Sequence, residues 1–309
     1  MADGSVNRPE AAPQTALDRL FAGGPVLGDG AMGTMLYDRG IPLNRCYEEL
    51  NLSQPTMIAS IHAAYLAAGA EVIETNTFGA NACRLERHGL CGLTAEINRA
   101  GVRIARQCVG RTGTACVAGS VGPLGVRPGE LSLEDVRAAF AEQIRALGEG
   151  GPGVGVDLLM IETMTSLAEA GEAIRAAREV ARELRLVVMM TVDDQGNCLD
   201  GASAEVAAVR LTELGVDALG CNCSTGPAAV LRAIERMRMA THLPLAAMPN
   251  AGLPRSVGGR SVYSVSPEEM AGFGRKFIVA GAGFVGGCCG TTPSHTRTVE
   301  IAMRGPRQG

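Results

Sequence analysis

Four cysteines sit in two glycine-bearing motifs, Gly220-Cys221-Asn222-Cys223 and Gly286-Gly287-Cys288-Cys289-Gly290, and 65 residues separate Cys223 from Cys288. Side chains alternate along a strand, so neighbouring sulfurs converge on one ion only where the backbone kinks. The glycines around Cys288 and Cys289 permit that kink. Cys221 and Cys223 share a face by period two, with Cys221 about 7 Å deeper along the strand. Cys223 is therefore the expected rim ligand, and Cys221 a small buried residue of the kind free cysteine often is. Cys223, Cys288 and Cys289 together give three thiolates and leave a fourth position open, unlike a closed four-cysteine site. Soft sulfur donors favour zinc. On a divalent ion three thiolates sum to a charge of about −1 and a fourth, from a substrate, takes it to about −2, which keeps electron density on the incoming sulfur. The ion also replaces a proton that a free thiol, with a pKa of about 8.5, mostly keeps at neutral pH. A zinc hydrolase would use histidines in paired spacing, and His62, His88, His242 and His295 show none.

Positioning these sulfurs requires strands that end together. Short apolar runs recur at roughly 30 to 40 residue intervals, with helical patterns between them. Strands are expected at 26–30, 72–78, 115–121, 158–163, 187–192, 218–223, 244–250 and 284–289. Eight consecutive βα units predict a single-domain α/β fold, a (β/α)8 TIM barrel, and 309 residues suit an architecture that typically runs about 250. Function in such a barrel sits at the C-terminal strand ends, where both cysteine motifs fall with only the seventh strand between them. Helix starts are marked by Ser166-Leu-Ala-Glu169 and Ser266-Pro-Glu-Glu269, read as capping boxes, and by Thr292-Pro293. The Gly/Pro-rich stretches 124–131 and 251–264 are the expected functional loops.

Hydrophobic residues make up 46% of the chain and charged residues 19%, enough apolar surface for a core of this size. A net charge of −4 without a basic block argues against nucleic acid and anionic membrane as partners. Neither a signal peptide nor a membrane span is visible, so a cytoplasmic protein is expected. Ten cysteines in that compartment read as ligands or core residues rather than as a disulfide framework. The expected organisation is a flexible segment over 1–19, the barrel over 20–304 and a tail over 305–309.

The motifs Asp29-Gly-Ala-Met-Gly-Thr34, Glu74-Thr-Asn-Thr-Phe-Gly79, Glu162-Thr163, Gly220-Cys-Asn-Cys223, Pro249-Asn-Ala-Gly-Leu-Pro254 and Gly286-Gly-Cys-Cys-Gly-Thr-Thr-Pro293 run in order from about 20 to 304. Together they resemble the homocysteine S-methyltransferase family, most of all its cobalamin-dependent, methionine-forming branch. The resemblance implies Cys223, Cys288 and Cys289 as zinc ligands, homocysteine as methyl acceptor, and Asp29 and Glu162 as the carboxylates that hold the substrate ammonium. Capping of nearby loops is the alternative for those two. Asn250 ends the seventh strand; its amide oxygen either holds the open zinc position when substrate is absent or serves the turn before Ala251-Gly252. Thr75, Asn76 and Thr77 either line the same mouth or face inward satisfied by their neighbours. A cationic donor such as S-methylmethionine, S-adenosylmethionine or betaine is usually held by aromatic faces, and the chain has no Trp, four Tyr and six Phe. A methylated corrinoid on a partner protein is thus the expected donor. Two competing functions remain: a dinucleotide enzyme, from the G-x-G-x-x-G match at Gly28–Gly33, and a zinc or redox sensor without turnover.

Overall fold

The structure, a computed structural model, describes residues 15–22, 24–110, 115–127, 129–257 and 260–304. Parallel strands are laid down in chain order: β1 (Val26–Leu27), β2 (Val72–Glu74), β3 (Cys116–Val121), β4 (Leu158–Met164), β5 (Arg185–Met190), β6 (Ala218–Cys223) and β7 (Leu245–Pro249). An antiparallel hairpin of β8 (Arg255–Val257) and β9 (Arg260–Val262) comes next, then the eighth barrel strand, β10 (Ala282–Val285). β10 pairs with both β7 and β1, and a parallel bridge between Gly28 and Val72 joins β1 to β2. The eight-stranded sheet therefore closes, and the chain is the (β/α)8 barrel its sequence predicts. Closure also removes the open-sheet crevice that the dinucleotide alternative requires.

Strand parity sorts the apolar residues into two cores. Val72, Ala118, Met160, Met189, Ala246 and Phe284 belong to the cluster that fills the barrel. Their neighbours Ile73, Val117, Leu159, Val188, Leu219 and Val285 belong to the larger cluster between strands and helices. Both strand faces are buried, which is why these runs are apolar throughout instead of alternating. Ser132, Ser166, Ser203 and Ser266 each cap a helix by accepting from the amide three residues on, at about 1 kcal/mol apiece. The capping box at Ser266 forms with Glu269. The one expected at Ser166 does not: Glu169 Oε1 instead accepts from the Leu124 amide at 2.8 Å, satisfying the loop that follows β3.

Four boundaries differ from the sequence expectation, one at the N-terminus and three at strand ends. Thr15 and Asp18 form a capping box on a helix over Ala16–Phe21, whose Ala16 and Leu20 join the barrel-filling cluster, so the ordered fold begins ahead of residue 20. Residues 1–14 and 305–309 lie outside the described residues. The expected first, second and eighth strands also run too far, since 29–30, 75–78 and 286–289 leave the ladder and bend over the barrel mouth. No helix among the described residues is long and apolar enough to cross a membrane.

Candidate active site

On β6 the pleat sends Ala218 and Asn222 toward the barrel axis and Leu219 and Cys221 toward the helices. Cys221 accordingly lies in the outer layer, its Sγ 3.8 Å from Met237 Sδ. It does not sit deeper on the same face as Cys223, as period two implied. Cys223 escapes that face because its backbone is left-handed, φ 55°, followed by Ser224 at φ 66°. Non-glycine residues hold this conformation at a cost of about 1–3 kcal/mol, and here it turns the sulfur onto the mouth.

Cys288 and Cys289 lie on the turn after β10. The Cys288 amide donates to Pro249 O at 2.8 Å, and Cys289 O accepts from the Ala251 amide at 2.9 Å, so both are tied to the end of β7. Gly290 follows at φ 81°, with the Tyr263 ring flat against it: a Cβ there would lie 2.1 Å from Tyr263 Cγ. Glycine is required on both counts.

The three sulfurs converge. Cys223 Sγ is 3.0 Å from Cys288 Sγ and 3.9 Å from Cys289 Sγ, and all three lie within 4.8 Å of one another. Tetrahedral zinc with bonds of about 2.3 Å separates its sulfurs by about 3.7 Å, so small adjustments seat the ion. Without a cation the thiols cannot all ionise. Hydrogen bonds from Cys223 and Cys288 hold Cys289 down at about 3. The bonds to Cys223 and Cys289, with burial, push Cys288 well up. At Cys223 the bond with Cys288 pulls down, but the one with Cys289 and burial outweigh it. One charge over three sulfurs is the donor set a soft divalent ion completes. Asn250 adds an observation of its own: Nδ2 donates to Ser224 O at 2.8 Å, while Oδ1 is buried without a partner. Asn250 lines a hollow adjoining the central cavity, sharing Cys223 and Thr163 with it.

That central cavity, about 200 Å3, is lined by the three cysteines and by the carboxyl residues Asp29, Glu48, Glu74 and Glu162. Among the described residues no Lys, Arg or His lines it. Asp29, at the end of β1, accepts from the Glu74 amide through Oδ2 at 2.9 Å. Glu162, on β4, accepts from Ser120 Oγ at 2.5 Å and from Asn222 Nδ2 at 2.8 Å. Asn222 has its own orientation fixed, because its Oδ1 accepts from the Thr163 amide at 2.7 Å. Burial, first of all, pushes the Asp29, Glu74 and Glu162 carboxyls above the usual carboxylate range, Asp29 and Glu74 furthest.

Thr75 and Asn76 line the cavity too, but their polar groups are engaged elsewhere. Thr75 Oγ1 pairs with Thr77 Oγ1 at 2.6 Å, and Asn76 Nδ2 donates to Tyr47 O at 2.8 Å and Asn51 Oδ1 at 3.1 Å. Sequence reasoning passed over Glu74, Ser120 and Asn222 as site residues. Parity carried the signal: counting by two from Val72, Cys116 and Ala218 points all three inward.

A family model described as homocysteine S-methyltransferase matches residues 26–303. The methionine synthase of Mycobacterium leprae is 34% identical over 295 residues, 90% of this chain and 24% of that protein. Its Mycobacterium tuberculosis counterpart is 33% identical over the same shares, so the chain spans about a quarter of the length of these relatives. Among solved structures, the homocysteine methyltransferase MmuM of Escherichia coli in its metallated form superposes with a TM-score of 0.77 at 26% identity, over 90% of this chain and 96% of that one. A methyltransferase from Methanosarcina mazei, at 12% identity and a TM-score of 0.61, shares the fold alone. Matched over nearly its whole barrel, the chain belongs to the homocysteine S-methyltransferase family.

Proposed function

We propose that this barrel transfers a methyl group to the thiol of homocysteine, giving methionine, with zinc on Cys223, Cys288 and Cys289 and a methylated corrinoid on a partner protein or domain as donor. One observation carries the proposal: three convergent sulfurs and the buried carboxyls Asp29 and Glu162 share the walls of one cavity of about 200 Å3 that no cationic side chain lines among the described residues. Such a cavity suits a small amino acid that brings its own ammonium and its own thiol. When bound, zinc supplies an open coordination position and the Lewis acidity that lets a thiol shed its proton at neutral pH. The chain's residues do the rest. Asp29 and Glu162 receive the ammonium, with Ser120 and Asn222 holding the Glu162 carboxyl in place. Met32, Phe78 and Met248 line the cavity between these groups and keep it poor in water. Asn250, with its unpartnered Oδ1 beside Cys223, is suited to occupy the open position between turnovers.

The corrinoid donor is supported by relatives that are methionine synthases about four times as long as this chain, and by the few aromatic rings on the cavity wall, Tyr47 and Phe78. Zinc-loaded protein and homocysteine, incubated separately with methylcobalamin and with S-methylmethionine, test both parts. Methionine is expected from methylcobalamin. Formation from the sulfonium alone overturns the donor, and zinc binding without turnover from any donor favours a sensor.

A further inference from the structure

The ammonium of one amino acid offsets one negative charge, yet four carboxyls line the cavity, of which Glu48 is engaged by the Gly79 amide, which donates to its Oε1 at 2.8 Å. Glu162 is built to be an anion, since each of its oxygens accepts from a fixed neutral donor, Ser120 Oγ and Asn222 Nδ2. The second of these cannot reverse, because the Thr163 amide claims Asn222 Oδ1. Asp29 likewise accepts from the Glu74 backbone amide. Glu74 differs: Oε1 is buried and meets no donor. Its carboxyl lines the same cavity as that of Glu162, and two carboxyls that approach each other there can bond only through a proton on one of them. Two ionised carboxylates in one cavity that no cationic side chain lines among the described residues are strongly disfavoured, so one must carry the proton. The donors around Glu162 decide which.

We propose that Glu74 is a positioning residue present as a carboxylic acid, which donates its proton to Glu162 and so fixes both the orientation of Glu162 and the charge the cavity presents to the substrate ammonium. Burial, followed by the charges of Glu162 and Asp29, pushes the Glu74 carboxyl up in agreement with this. The other titratable groups lining the cavity are Tyr47, Glu48 and the three cysteines, none of them a cation. The ammonium of an amino acid then faces Asp29 and Glu162 as carboxylates beside a neutral Glu74, and a second cation gains little.

The role in binding rests on the proposed homocysteine function, while the protonation of Glu74 is measurable without it. Infrared difference spectra of the zinc-loaded full chain, wild type minus Glu74→Gln at neutral pH, should show the carbonyl band of one protonated carboxyl. Absence of that band overturns the assignment. In calorimetric titration with homocysteine, Glu74→Ala should weaken binding more than about tenfold, and Glu74→Gln, which keeps a donor toward Glu162, should recover most of the loss, to within about threefold of wild type. Equal losses in Glu74→Gln and Glu162→Gln overturn the proposal, because Glu74 would then act as an anion. Should Glu74→Gln fail to fold, 13C-carboxyl labelling of glutamates in the wild type decides the same point: one side-chain carboxyl resonating as an acid supports it, and none overturns it. A wild type that binds no homocysteine defeats the function while leaving the spectroscopic result to stand.

Discussion

At Cys223 the backbone chooses which sulfur reaches the mouth. The left-handed φ of 55° reverses the side chain relative to Cys221, so two cysteines two positions apart in the motif have unrelated tasks. Cys288→Ala or Cys289→Ala should lose the metal, since two thiolates hold zinc weakly, whereas Cys221→Ala should keep it and lose about 1 kcal/mol of packing. Zinc content beside denaturation midpoints checks both; full retention of zinc in either of the first pair defeats the ligand assignment. Asp29→Asn and Glu162→Gln should each raise the KM for homocysteine about tenfold or more while leaving the zinc in place, because they address the ammonium and not the sulfur. Unchanged saturation curves in both would remove them from the site. The candidate ligands were legible from residue type and spacing. The turn at Cys223 was not, because a left-handed cysteine is set by contacts across strands that periodicity does not see.

The tightest contact between elements runs from β6 to β7. Gly220 pairs with Ala246, and a Cβ on Gly220 would lie 1.9 Å from the Ala246 carbonyl oxygen, a backbone atom that moves only if the strands part. Gly220→Ala is expected to destabilise the barrel by about 3 kcal/mol and to loosen zinc, because β6 carries Cys223 and the end of β7 anchors Cys288. Chemical denaturation and zinc affinity together check this; a variant as stable as wild type would show that the strands separate freely. Strands flanked by helices on one side and packed barrel on the other, such as 158–163 and 218–223, were readable almost to the residue from their continuous apolar runs. Those ending in glycine-rich segments were overextended, since the residues at 75–78 and 286–289 keep strand-like composition while their backbones turn to line the cavity. Within 251–264, expected as a loop, the short β8 and β9 hairpin forms and leads into Tyr263 against Gly290.

For the molecule as a whole, pH acts through groups that folding strips of water. His62, on the helix over Pro55–Ala68, is fully buried with both ring nitrogens unpartnered, and burial lowers its pKa to about 4 from about 6.5. A depressed histidine favours the folded state above the unfolded pKa, and that contribution is lost as pH falls from about 6.5 through 4. Asp29 and Glu74, raised instead, contribute in the opposite sense, their share being lost as pH rises. The histidine is isolated by difference: between pH 7 and pH 4 wild type should lose about 3 kcal/mol relative to His62→Leu, measured by urea unfolding at each pH. Parallel pH profiles would show that the ring is solvated in solution. The helix over Ala16–Phe21 and the apolar cluster above it plug the far end of the barrel, which has a kinetic consequence. At about 200 Å3 the cavity has room for an amino acid and not for a corrinoid. If the donor is a corrinoid carrier, it has to stand at the mouth of that cavity, so acceptor would enter before it and product leave after it, and turnover would become a queue enforced by architecture.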